Sequence, residues 1–185
     1  MRVPISGGAP EPVLQATQGA VIHCSQGHPR CVLSELDHSH GELVFSLFDP
    51  ANGKKDESIR MAADLGSSPS WDLSSDGLTV AVVALGNRQD CIRLVNLETG
   101  SGRSVCADRS AQLSGISWSA DGNGWFVTDS SVRKAAILYI SLDGHASQMW
   151  TTSTAVGSPL ASPDGTSLAF TVSSYNSNAW ILEDF

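Results

Sequence analysis

Three similar segments, each ending in an Asp-Gly pair, decide the fold of this chain: SWDLSSDG at 70–77, ISWSADG at 116–122 and LASPDG at 160–165. Their aspartates, Asp76, Asp121 and Asp164, lie 45 and 43 residues apart. A second series of turn pairs alternates with the first at spacings of 47 and 44 residues: Asn52-Gly53, Thr99-Gly100 and Asp143-Gly144. Two turn series that share one period indicate a repeated structural unit.

Strand-sized apolar runs fill the intervals between these turns. The run at 78–85 is almost entirely apolar, as in a strand covered on both faces, whereas the run at 92–97 is mixed, as in a strand nearer an edge. Asp-Gly and Asn-Gly pairs supply the positive-φ residues that tight hairpins need. A period of about 44 residues holding four short strands matches one propeller blade. The sequence therefore predicts an all-β chain, a partial β-propeller of about four blades, each a four-stranded antiparallel sheet.

The composition agrees with this prediction and excludes several classes of function. The chain has 185 residues, 28 of them Ser and 17 Gly, with 16 % charged residues and a net charge of −8. That length can bury a core. The acidic balance argues against nucleic-acid binding by this region, which needs clustered Lys and Arg. No run approaches the roughly 18 apolar residues of a membrane span, so we expect no membrane insertion by this region.

The repeat divides the chain into blades. Residues 1–15 are predicted to form the last two strands of one blade, and three complete blades and an incomplete fourth follow, at 20–62, 63–107, 108–151 and 157–185. The two partial blades could pair and close a small ring, because an open ring leaves an exposed strand edge. We expect instead a β-propeller fragment, the C-terminal part of a longer protein begun at an internal Met.

The residues that carry this repeat resemble a known family. SPDG at 162–165, followed by LAF at 168–170, resembles the repeat of TolB-like, WD40-like (PD40-type) bacterial β-propellers, and the segments at 70–77 and 116–122 resemble further copies. RVPISGGAP at 2–10 is similar to a hairpin that closes a blade in those proteins. The end of the chain, 175–185, is similar to the propellers of acidobacterial sensor proteins. That resemblance implies an N-terminal serine/threonine kinase or winged-helix output domain.

The cysteines allow several interpretations. His23, Cys24, His28 and Cys31 offer imidazole and thiolate ligands for zinc, but the six residues between the two cysteines do not fit the C-x2–4-C spacing of common zinc modules. On the predicted fold Cys24 and Cys31 flank a turn between two strands, where a disulfide or two reduced thiols is favoured over a metal. Resemblance to the sensor propellers implies a Cys pair at this place. The pairing of the other two cysteines, at 91 and 106, is indeterminate from sequence.

Neither the Asp-Gly turns nor the sequence motifs of the chain indicate a catalytic site. The aspartates recur at equivalent points of successive blades, so they lie around a ring, too far apart for a carboxylate pair, and we expect them to accept backbone N–H bonds. The predicted structural turn residues are Asp76, Gly77, Asp121, Gly122, Asp164 and Gly165. The sequence contains no G-x-S-x-G elbow, phosphate loop or kinase motif. We therefore expect no catalytic residue, metal or cofactor.

The tryptophans are predicted to be mainly structural. Trp71 and Trp118 are expected to recur at one blade position and to pack between adjacent blades. Trp125 and Trp180 lie within strand runs, which favours the core. Trp150, near a blade edge, is the candidate for exposure.

These observations predict a non-catalytic binding or sensing module. Its partner would be a protein or peptide ligand, or another domain of the same chain, bound where the inter-strand loops converge. The alternatives are the accessory propeller of a hydrolase or peptidase and a TolB-like component of an envelope complex. The resemblance favours the extracytoplasmic side of a membrane-anchored protein, which a Cys24–Cys31 disulfide would fit.

Overall fold

The computed structural model describes residues 3, 5–25, 30–63, 69–83, 90–131 and 135–174, and within these ranges the chain forms sixteen strands and no helix. Accordingly, those ranges hold no helical segment that is long and apolar enough to cross a membrane. The strands form three four-stranded antiparallel sheets and one short hairpin. The chain is thus an all-β, partial propeller, as the sequence predicts.

The three sheets are built in the same way, with neighbouring strands in chain order. The first blade contains β1 (Val21–Cys24), β2 (Cys31–Asp37), β3 (Glu42–Phe48) and β4 (Lys55–Ala62). The second blade contains β5 (Ser70–Leu73), β6 (Thr79–Val83), β7 (Cys91–Asn96) and β8 (Gly102–Cys106). The third blade contains β9 (Leu113–Trp118), β10 (Gly124–Asp129), β11 (Ala135–Ser141) and β12 (Ala146–Thr152).

The fourth unit is a hairpin, here called the fourth hairpin. Its first arm carries β13 (Ala155–Val156) and β14 (Leu160–Ala161), and its second arm carries β15 (Leu168–Ala169) and β16 (Val172–Ser173). β13 pairs with β16 and β14 with β15, so the two pairs are nested around one turn. A third strand predicted for this blade falls on 175–185, which lies outside the described residues, as does Trp180.

The Asp-Gly turns are closed by the same bonds in each blade. Gly77, Gly122 and Gly165 have φ values of 71°, 70° and 70°, in the region that glycine adopts without steric cost. In each turn the serine two residues before the aspartate donates its hydroxyl to that carboxylate at 2.6 Å. The aspartate also accepts the backbone N–H two residues ahead, at 2.9–3.1 Å. The repeated Ser-x-Asp-Gly pattern is therefore a self-contained turn.

Two apolar clusters hold the three complete blades together. One joins the second and third blades around the fully buried Trp125, and the other joins the first and second blades around Phe45 and Trp71. The expectation that Trp71 and Trp118 share one blade position is wrong. Trp71 pairs with Val82, two residue pairs away from the turn-proximal position at which Trp118 pairs with Trp125. The turn sets the register, and the two tryptophans lie at different distances from it.

The start of the chain differs from the predicted pair of strands. Within 5–20 the structure has one isolated β bridge, at Glu11, and otherwise turns and extended chain. Pro10 and Pro12 interrupt this segment, and proline cannot donate to a strand ladder. The segment instead lies against the first blade, where Leu14 packs against the cluster that contains Leu33, and the Thr17 N–H donates to Glu35 Oε1 at 2.9 Å.

Candidate functional site

The first strands of the three complete blades and β14 of the fourth hairpin lie side by side across the blade boundaries, in the order β1, β5, β9 and β14. The last residue of each strand pairs with the residue seven positions later, in the next strand of its own sheet, so the four strands can be aligned by register. One position before that last residue stand His23, Asp72, Ser117 and Leu160. We call these four residues the central belt.

His23 and Asp72 form a hydrogen-bonded pair across the boundary between the first and second blades. His23 Nδ1 lies 2.9 Å from Asp72 Oδ1, and the imidazole ring packs on Trp71 with 4.5 Å between ring centroids. The side chains are 33 % and 18 % exposed, so both retain access to solvent. Because a carboxylate only accepts hydrogen bonds, the pairing assigns the donor proton to Nδ1 and leaves Nε2 as the remaining ring nitrogen.

Asp72 also fixes the next blade. Its Oδ2 accepts the Trp118 N–H at 2.8 Å, and its Oδ1 accepts the Leu73 N–H at 2.8 Å. The same step recurs one blade later, where Ser117 Oγ accepts the Ala161 N–H at 3.2 Å. In both cases the side chain of a belt residue accepts a backbone N–H from the following unit. That N–H belongs to the residue directly after the belt residue of that unit. The belt therefore links successive blades by polar contacts.

Two cavities, of about 180 and 360 Å³, meet at the four belt residues. We call them together the central groove. Trp118 lines the smaller cavity beside the Asp-Gly turns, and Pro159 lines the larger one with Leu160, whose side chain is two-thirds exposed. A groove of mainly apolar and hydroxyl-bearing walls with one polar pair has the usual make-up of a ligand site.

The cysteines are paired in the structure. Disulfides join Cys24 to Cys31 and Cys91 to Cys106, and in each case the two residues face each other on adjacent antiparallel strands. The disulfide takes both sulfurs out of the zinc set considered from the sequence, and His28 of that set lies outside the described residues. In the described part of the chain no three His, Cys, Asp or Glu side chains come together as a metal site.

The structure does not bring the three turn aspartates together. Each carboxylate is held within its own turn by a serine hydroxyl and a backbone N–H. The hydroxyl of Ser162, together with the Thr166 N–H, lowers the pKa of Asp164 from 3.8 to about 2, and equivalent bonds lower the pKa of Asp121. The Asp121 and Asp164 carboxylates therefore stay ionised at neutral pH.

Sequence reasoning missed the His23–Asp72 pair. The sequence places His23 only in a candidate zinc set and Asp72 only in a repeated segment. The signal was present in the repeat itself, because Asp72 is the one acidic residue at a position occupied elsewhere by His23, Ser117 and Leu160. Trp150, predicted as the candidate for exposure, is 38 % exposed and packs against Phe170.

Comparison with known proteins identifies the fold. No protein-family model matches the chain, and no curated protein matches it in sequence. The crystal structure of TolB from Acinetobacter baumannii is similar, with a TM-score of 0.58 and 20 % identity, and the match covers 81 % of this chain and 36 % of that one. A functionally unknown protein from Desulfotomaculum acetoxidans DSM 771 matches with a TM-score of 0.55 and 12 % identity, over 81 % of this chain and 47 % of that one. A protein from Lactobacillus plantarum matches with a TM-score of 0.52 and 14 % identity, and that match covers 82 % of this chain and 49 % of that one. The chain thus spans between a third and a half of the length of these structures and shares with them a TolB-like propeller fold.

Proposed function

We propose that this chain is a non-catalytic binding or sensing part of a β-propeller, and that its ligand binds in the central groove. The observation that carries this proposal is the His23–Asp72 pair at the meeting point of the two cavities. Asp72 is occupied by bonds to the next blade, so it orients His23 rather than binding ligand itself. His23 Nε2 is the group left to meet a ligand.

The proposed ligand is a protein or peptide segment. The groove offers an imidazole nitrogen and serine hydroxyls between apolar walls, which suits a backbone that carries both donors and acceptors next to apolar side chains. In a peptide ligand, a backbone N–H or a side-chain hydroxyl would donate to His23 Nε2. Ser75 lines the smaller cavity of the groove and would supply a further polar contact.

We further propose that the full-length protein is a signalling protein in which this propeller region follows a kinase or winged-helix domain. The matches cover only 36–49 % of the length of the similar structures, which supports a longer protein. An accessory propeller of a hydrolase and a TolB-like envelope component are the competing assignments. The reading frame upstream of the chain in its genome distinguishes the three, because each requires a different preceding domain or none.

The compartment we propose is extracytoplasmic. Both cysteine pairs lie in positions that form disulfides, and disulfides persist in oxidising compartments. A thiol titration of protein purified without reductant should find no free thiol among the four cysteines. Four reactive thiols in protein taken directly from the native cell would contradict this location.

The binding proposal can be tested with selected peptides. Peptides are selected from a random library on the immobilised chain, and the affinity of each is compared between the wild type and His23→Gln. Peptides that occupy the central groove should lose about tenfold or more in affinity, because one hydrogen bond to a partly desolvated group is lost. His38→Gln is the matched control, since His38 is an exposed histidine in the β2–β3 turn of the same blade.

Two results would contradict the proposal. The first is that no selected peptide depends on His23. The second is hydrolytic or phosphotransfer turnover by the chain that disappears on a single substitution, because a binding module has no such residue.

A further inference from the structure

Another cavity lies outside the central groove, between the second and third blades. We call it the second inter-blade groove. Its volume is about 470 Å³, and it is lined by Asn96 and Arg103 of the second blade, by Trp118 and Leu142 of the third, and by turn serines. Leu142 is 39 % exposed although it is a large apolar side chain. The groove thus combines an accessible apolar wall with polar groups.

Two of the polar groups are hydrogen-bond donors that the fold does not use. Asn96 Oδ1 accepts from the Glu98 N–H, the Thr99 N–H and the Thr99 hydroxyl, which fixes the amide orientation and assigns the other side-chain atom as the Nδ2 donor. Neither Asn96 Nδ2 nor the Arg103 guanidinium has a hydrogen-bond or ion-pair partner within the described ranges. Arg103 is exposed on the outer strand β8, where it can reach an incoming group.

The equivalent cavity one blade earlier carries the opposite chemistry. This first inter-blade groove has a volume of about 480 Å³ and is lined by Asp49 and Asp56. The turns that lead into the last strand of each blade show that the two grooves correspond. A glycine N–H in the turn donates to the Asp49 carbonyl in the first blade and to the Asn96 carbonyl in the second. The pair Phe48–Lys55 corresponds to Val95–Gly102, which aligns Asp56 with Arg103. The carboxylates of Asp49 and Asp56, which accept hydrogen bonds, therefore occupy in the first groove the positions that the donors of Asn96 and Arg103 occupy in the second.

The carboxylates near the second groove do not cancel its donors. Asp76 lines the same cavity, but its Oδ1 accepts from the Ser74 hydroxyl and the Leu78 N–H of its own turn. Arg30 in the first groove, by contrast, is paired with Glu98 at 3.2 Å. Arg103 is thus the cation of the second groove that carries no ion pair in the described structure.

We propose that the second inter-blade groove binds an acidic residue in an extended segment of a partner protein. The carboxylate would accept from the Arg103 guanidinium and Asn96 Nδ2, since charged hydrogen bonds between guanidinium and carboxylate are among the strong ones. The apolar neighbours of that acidic residue would contact Leu142 and Leu94. This site adjoins the central groove, because Ser75, Trp118 and Ser119 line both cavities, but none of the four belt residues lines it.

The test uses two peptides that differ only in charge, acetyl-Ala-Leu-Asp-Leu-Ala-amide and its Asn counterpart. Each is titrated into the ¹⁵N-labelled full chain while the side-chain NMR signals of Arg103 and Asn96 are followed. The Asp peptide should shift these signals and bind at least about tenfold more tightly than the Asn peptide. Arg103→Gln should remove the difference. Arg109→Gln, at an exposed arginine that does not line the groove, should leave the difference unchanged, and so should His23→Gln, which disables the central groove.

A second pair of variants keeps the test decisive if Arg103→Gln unfolds. Asn96→Asp should preserve the turn, because Asp49 caps the equivalent turn with the same backbone bond, and should weaken binding of the Asp peptide. Asp49→Asn combined with Asp56→Arg should create binding of the Asp peptide in the first groove. Equal binding of the two peptides, or shifts in the wild type that map to the first groove, would overturn the proposal.

Discussion

The boundary between the second and third blades differs in kind from the boundary between the third blade and the fourth hairpin. The former is filled by a buried apolar cluster that contains Trp125, Leu138 and Ile92. The latter is bridged by single hydrogen bonds, such as Thr128 Oγ1 to the Gly157 carbonyl at 3.0 Å, and by the ring contact of Trp150 with Phe170, and it leaves Leu160 largely exposed. Apolar burial dominates folding free energy, so the two boundaries should differ in stability.

This difference predicts which parts of the chain unfold together. Blades that share a close-packed cluster should behave as one cooperative unit, whereas a hairpin held by a few polar contacts should open at a lower free energy. The central belt crosses both boundaries, through Asp72 to Trp118 and through Ser117 to Ala161. It therefore gives matched polar contacts in two different packing environments.

Trp125→Ala should have the largest effect. Trp125 is fully buried in the cluster between the second and third blades, and truncating a buried Trp costs about 3–5 kcal/mol. Urea denaturation followed by far-UV circular dichroism should show that loss in the global transition. Trp150→Ala, at the boundary with the fourth hairpin, is the control and should cost about 0.5–1.5 kcal/mol. Equal losses would mean that the two boundaries are alike.

Asp72→Ala should have the next largest effect. It leaves the Trp118 N–H and the Leu73 N–H without their acceptor at a partly buried position, at a cost of about 1–3 kcal/mol. Asp72→Asn retains one oxygen acceptor and should lose less. Amide hydrogen exchange at Trp118 should rise in the Ala variant. Unchanged exchange at that amide would show that the belt does not hold the second and third blades together.

Gly115→Ala should disturb the boundary between the third blade and the fourth hairpin without disturbing the boundary between the second and third blades. A Cβ at this position would lie 2.6 Å from Ser158 Oγ and 2.8 Å from Ser158 Cα, so the first arm of the fourth hairpin must move away. Overpacking of this kind costs about 1–3 kcal/mol, and we expect the low end because only a weakly packed hairpin has to shift. Exchange of the Ala161 N–H should rise while that of the Trp118 N–H stays constant. Increased exchange at both amides would contradict independent behaviour of the hairpin.

The sequence predicted the architecture because the repeat acts locally. The Ser-x-Asp-Gly turns form from residues within a few positions of one another, so Asp121 and Gly122 could be placed without knowing the rest of the chain. The prediction that Trp71 and Trp118 share one blade position is wrong because it aligns the two segments by residue type, whereas the register follows from the distance to the turn. The partners of Asp72 could not be predicted, since they depend on how two neighbouring blades pack against each other.

The effect of pH on the fourth hairpin should be the smallest and should depend on its turn alone. The Ser162 hydroxyl and the Thr166 N–H hold the pKa of Asp164 at about 2, below its usual 3.8. Because the folded state lowers this pKa, the turn contributes its full stability above about pH 4 and loses it as the pH falls toward 2.

This titration separates the turn of the hairpin from its docking on the third blade. NMR titration of the Asp164 carboxyl carbon should give a midpoint near pH 2, and Ser162→Ala should raise it toward the usual value, since the hydroxyl is the main cause of the shift. Gly115→Ala should leave the midpoint where it is, because every bond to Asp164 comes from Ser162 or Thr166 within the same turn. A midpoint that moves with Gly115→Ala would mean that docking shapes the turn, and the hairpin would then belong to the same cooperative unit as the third blade.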